Sequence, residues 1–108
     1  MRENQAETSS ELKISKYLDC NTAHITKKDD ELFRNAAGKV KRFLTGFGYW
    51  VHVSPKDSPI EEYTDDMEDA GYSAAAVAIV QMADRHGCDY ILFSSDGFFH
   101  AHFPVLNR

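Results

Sequence analysis

The chain has 108 residues and a formal charge of −5; 43% of its residues are hydrophobic and 12% aromatic. That length suits one domain around one core, and so many aliphatic and aromatic side chains exclude a natively disordered chain. The acidic balance argues against a protein whose task is gripping nucleic acid, which needs clustered Lys and Arg, and no run approaches the ~20 apolar residues of a membrane span.

Residues 1–12 are mostly polar and read as a flexible tail ahead of a single α+β domain over 13–108. A first strand is expected over about 15–21. Thr26 and Asp29 then form a cap-like pair, hydroxyl to backbone N–H and carboxylate to the positive helix end. Behind it Leu32, Phe33, Ala36, Ala37, Val40, Phe43 and Leu44 recur at three- and four-residue intervals, which predicts one long helix stopped by Gly46 and Gly48. Its other side carries Lys27, Arg34, Lys39, Lys41 and Arg42, an ordinary solvated surface.

A second strand is expected over 49–53, followed by a long acidic loop over 54–72 bracketed at its start by Pro55 and Pro59 and holding at most a short helical turn. Ser73 caps a second helix, apolar from Ala74 to Ala83, and Gly87 suits the left-handed residue that ends it. A strand over 89–94, turn chemistry at Ser95-Asp96-Gly97 and a returning strand over 98–103 predict a C-terminal β-hairpin. The order reads β-α-β-α-β-β. It implies a two-layer α+β sandwich of about four strands in a mixed sheet, the first three mostly parallel, with two helices on one face and the other face open.

Four groups of residues invite functional readings. His100 and His102 lie two apart on the returning strand and so share a side. With a two-residue turn they face Phe93 and Ile91; a three-residue turn moves those two to the other face. His52, His24 or a carboxylate would have to complete a zinc site, and with no His-Glu-x-x-His pattern in the chain neither a metal nor a cofactor is expected. Asn21, Thr22, His24 and Thr26, Ser54 and Lys56, and Ser95 and Asp96 follow the three strands expected to be parallel, where open sheets place small ligands. His24, Asp96 and Ser54 or Ser95 offer a base, an orienter and a nucleophile, yet no Gly-x-Ser-x-Gly turn is present and no catalytic residue is predicted. Glu61, Glu62, Asp65, Asp66, Glu68 and Asp69 do not fit an EF-hand; they read as a solvated loop or as an imitation of a phosphate backbone toward a basic protein. Trp50, His52, Phe98, His100 and His102 would then anchor a partner on the open sheet face. Cys20 and Cys88 have no metal-type spacing and read as buried reduced thiols of a cytoplasmic protein.

The segment Leu18-Asp-Cys-Asn-Thr-Ala-His-Ile-Thr26, Asp29-Asp30 at the helix start, and Gly87-Cys-Asp-Tyr-Ile-Leu-Phe93 with Asp96-Gly97 resemble an uncharacterised family of small phage and mobile-element proteins. The resemblance implies an accessory protein of the bacterial cytosol, similar in kind to inhibitors of host defence such as anti-CRISPR proteins, and brings no site residues with it. The function expected is thus non-enzymatic: binding to a host protein or nucleoprotein complex with a basic surface, with no direct contact to nucleic acid or membrane. The alternatives are a small enzyme or ligand-binding domain built on His24 and Asp96, and a self-associating module.

Overall fold

The computed structural model describes residues 12–53 and 59–106. The expected tail up to residue 11, and Ser54 and Lys56 of the ligand set, lie outside the described residues. Strand β1 (Tyr17–Asn21) passes through a 3₁₀ turn (Thr22–His24) into helix α1 (Lys27–Arg34). Strands β2 (Arg42–Leu44) and β3 (Gly48–His52) follow, then helices α2 (Ile60–Ala70) and α3 (Ala74–Arg85), and finally strand β4 (Tyr90–Ser94). The sheet order is β1-β4-β3-β2, with β1 parallel to β4 and the β4–β3 and β3–β2 pairs antiparallel. The chain is therefore an α+β sandwich with a mixed four-stranded sheet, as the sequence predicts, although among the described residues three helices rather than two cover the inner side.

Alternation along the strands places the core. Cys20, Tyr49, Val51, Val53, Ile91 and Phe93 are buried on the inner side of the sheet, where they meet Phe33 of α1, Tyr63 and Met67 of α2, and Val77, Ile79 and Val80 of α3. Asp29 ties two helices together. It completes the capping box with Thr26, and its carboxylate also accepts from the Ser73 N–H at 2.8 Å and the Ser73 hydroxyl at 2.6 Å, so the N-termini of α1 and α3 share one buried anion.

Three expectations are corrected. The stripe read as a long helix breaks at Arg34, because Ala36 adopts a left-handed φ of 53° and Gly38 one of 69°. Ala36 N–H bonds to Phe33 and Ala37 N–H to Leu32, a Schellman ending without the usual glycine. Phe43 and Leu44 then pair with Trp50 and Tyr49; Gly46 lies in the hairpin turn and Gly48 opens β3, so neither ends a helix.

The expected loop contains α2, an eleven-residue helix whose Tyr63, Thr64 and Met67 face inward and whose end is the left-handed Gly71. With α3 it makes a pair of antiparallel helices, which returns the chain to the end of the sheet it left. A single helix would have delivered it to the opposite end. That is why β3 and β4 are antiparallel instead of parallel, and why the order is β-α-β-β-α-α-β.

The C-terminal hairpin is absent: residues 98–106 form no strand. Both edges of β4 are occupied, one by β1 and the other by β3, so a returning strand has no edge to join. Gly97 instead lies against the β1 backbone, where a Cβ would sit 2.6 Å from the Cys20 carbonyl carbon and oxygen. From there the chain wraps the 3₁₀ turn, with the Asn21 N–H donating to Phe98 O and the Leu106 N–H to Ala23 O.

Candidate functional site

Among the described residues no helix lies on the outer side of the sheet. Tyr17, Tyr90 and His52 form one outward row across β1, β4 and β3, and Asp19, Leu92, Trp50 and Phe43 form the next across all four strands. The rings interlock edge to face: Tyr17 meets Trp50 at 5.0 Å, Trp50 meets Tyr90 at 6.2 Å, and Tyr90 meets His52 at 4.9 Å. Together with Ser15 and Phe43 they line a groove of about 460 Å³. Tyr17 is 50% exposed and Phe43 69%. Asp19 is the one charged residue among the outward strand positions just named.

Trp50 and His52, both expected on the open face, stand on it. Phe98, His100 and His102 do not. They belong to the segment wrapped around the 3₁₀ turn, where Phe98 and His100 meet edge to face at 4.8 Å and His102 is exposed. Tyr17, Tyr90 and Phe43 were missed as site residues. The first two were legible in the alternation of Tyr17-Leu18-Asp19-Cys20 and Tyr90-Ile91-Leu92-Phe93, whereas Phe43 was hidden inside the misread helix.

The acidic residues make a separate surface. Glu61, Glu62, Asp65, Glu68 and Asp69 are exposed along α2, whose inner side is in the core, so they point away from the helical layer and not from the sheet face. Asp66 is half-buried and accepts the Lys39 N–H at 2.7 Å.

Each polar group of the expected ligand site for which a bond is found has a backbone partner. Asn21 caps the 3₁₀ turn through the Ala23 N–H and donates to Ser95 O at 3.1 Å and Gly97 O at 3.0 Å. Thr26 caps α1, the Asp96 N–H donates to the Ser94 hydroxyl, Thr22 is half-buried, and Ser95 and Asp96 stand exposed in the turn. His24 is fully buried among Phe99, His100 and Phe103. Its Nε2 accepts the His100 N–H at 2.9 Å, which leaves Nδ1 as the protonated nitrogen that donates to Pro104 O at 2.8 Å. This histidine clasps the C-terminal segment with both nitrogens.

Among the described residues no group of three or more His, Cys, Asp or Glu is placed to hold a metal ion, and no helix is long and apolar enough to cross a membrane. Cys20 and Cys88 are free thiols. Burial, with Asp19 adding to it, pushes the Cys20 thiol up to about 12, and burial also raises Cys88. The Tyr49 hydroxyl is raised by burial and by its 2.7 Å bond to Asp30, which also pairs with Arg34 at 3.0 Å.

With this geometry in place, the family description "Family of unknown function (DUF5983) C-terminal domain" matches residues 17–107. The chain belongs to the DUF5983 family. The match covers the whole sheet, all three helices and the C-terminal clasp through Leu106. No curated protein and no solved structure matches the chain.

Proposed function

We propose that this DUF5983 domain is a non-enzymatic protein-interaction module whose working surface is the outer face of its sheet. One observation carries the reading: interlocked aromatic rings and a groove of about 460 Å³ occupy a sheet face that no helix among the described residues covers. Large exposed apolar patches of this kind mark interaction sites, and aromatic side chains with one polar end are common anchors there. The bonding of His24, clasped by backbone groups on both nitrogens, weighs against the enzyme alternative that would use it as a base.

The narrower reading is a phage or mobile-element accessory protein of the bacterial cytosol that inhibits a host nucleic-acid machine, such as a CRISPR-type complex. Its support is the row of exposed carboxylates on α2, which would meet a basic surface. Because those carboxylates and the aromatic rings lie on different layers, the two surfaces can be tested apart. Tagged wild-type protein, a Trp50→Ala, Tyr90→Ala variant and a Glu61→Ser, Glu62→Ser, Asp65→Ser, Glu68→Ser variant serve as baits in bacterial lysate at two salt concentrations, with a differently tagged copy of the chain added. Loss of capture by the aromatic variant, with an unchanged circular dichroism spectrum, is the expected result. Loss confined to salt-sensitive contacts is expected for the acidic variant. Identical capture by wild type and aromatic variant would overturn the assignment of the sheet face.

A further inference from the structure

We infer that the occupant of the open sheet face is a second copy of this chain, related to the first by a two-fold axis running along the strands. The inference rests on the reading of that face as an interaction surface and names what sits on it.

Charge decides between occupants. Single-stranded nucleic acid would need basic residues threaded among the rings, but among the described residues the outward positions within the strands carry one charge, that of Asp19, and Lys41, the basic residue that extends the His52 row, stands at the β2 edge rather than among the rings. A second copy has no such requirement. The exposed carboxylates of α2 stand on the helical layer, so two chains of net charge −5 can meet sheet to sheet with those acidic surfaces turned outward.

The few charges at the edges fix the axis. Asp19 lies on β1, one edge of the sheet. At the other edge the His52 N–H bonds to Lys41 O, which extends the β2–β3 register by one residue and puts Lys41 on the same face as His52. Arg42, next along, turns to the helical side, where its Nε donates to Arg34 O. A two-fold axis along the strands lays β1 of one copy over β2 of the other, which brings Asp19 toward Lys41 of the partner subunit twice over. An axis across the strands would instead set the two Asp19 carboxylates along one edge. The Asp19 carboxylate has only a long 3.4 Å contact with the Phe98 N–H and is otherwise exposed.

Area is sufficient. Aromatic side chains bury ~150–250 Å² each when fully covered, so five partly exposed rings bring roughly 500 Å² per copy, near the ~1,000 Å² total at which an interface becomes specific. Sheets packed in this way align within about 30° and interdigitate their facing side chains. The resulting dimer is weak, because that area is at the low end.

Sedimentation velocity over two decades of protein concentration tests the inference. Wild type is expected to pass from monomer to dimer. Phe43→Glu, at a strongly exposed position that the fold does not depend on, weakens association at least tenfold. Asp19→Lys and Lys41→Asp each weaken it several-fold, and the double variant Asp19→Lys, Lys41→Asp restores it. A wild type that stays monomeric throughout, or a dimer indifferent to Phe43→Glu, overturns the second copy as occupant; a double variant no better than the singles overturns the axis. If wild type is monomeric yet Trp50-dependent capture of another protein persists, the interaction-module reading survives without the dimer. If that capture is also missing, both fall.

Discussion

Asp29 shows how much one residue organises. A carboxylate only 1% exposed is held by N–H groups at two helix N-termini and by the Ser73 hydroxyl, so its charge is met by fixed donors rather than by water. Asp29→Asn keeps the shape but turns an acceptor into a donor facing donors. The expected loss is about 2–3 kcal/mol in urea unfolding, against about 1 kcal/mol for Ser73→Ala, which removes one cap. Equal small losses for both would show that the anion does not join the helices. Gly97 organises by absence: any side chain there would enter the β1 backbone, so the turn after β4 can reach Cys20 only as glycine.

At the scale of elements, helix endings and strand edges outweigh local pattern. The apolar stripe from Leu32 to Leu44 continues past Arg34, but the backbone does not, since Ala36 takes up a conformation that costs an ordinary residue about 1–2 kcal/mol. Ala36→Gly is accordingly expected to raise stability by about 0.5–1 kcal/mol, part of the strain relief being returned as unfolded-chain entropy. Thermal melting checks it, and a lower Tm would mean that the Ala36 methyl packs to greater effect than its φ costs. The Phe98 to Phe103 stretch has strand composition and a turn before it, yet β4 has no free edge. It becomes a clasp around His24 instead.

For the whole molecule, buried titratable groups set the response to alkali. Cys20 is raised from 9.0 to about 12, so the unfolded chain releases this proton first and the folded chain holds it. Stability is therefore full below pH 9 and falls as pH rises toward 12, by about 1.4 kcal/mol for each unit over which only the unfolded form is ionised. Tyr49, Tyr63 and Tyr72, all raised chiefly by burial, add to the fall above their ordinary value of 10.0. Urea midpoints at mildly and strongly alkaline pH are expected to decline, and Cys20→Ala is expected to decline less steeply from its own starting point. A Cys20→Ala slope equal to wild type would mean that the thiol ionises in the folded chain.

The capping pair Thr26 and Asp29, the Ser73 cap, the Gly87 stop, the β1 and β4 strands and the mixed α+β character could all be read from the chain, because each depends on neighbours within a turn or on simple alternation. So could an open sheet face bearing Trp50 and His52. What the sequence could not supply were the partners of each edge and the number of helices between β3 and β4. Those choices turned the acidic loop into a helix on the far layer, moved the His100 and Phe98 segment off the sheet, and brought Tyr17, Phe43 and Tyr90 onto one face with Trp50. Strand pairing joins residues such as Tyr17 and Tyr90 that lie far apart in the chain, and its free energy depends on which edges are still vacant, a property of the assembled sheet that no local stretch carries.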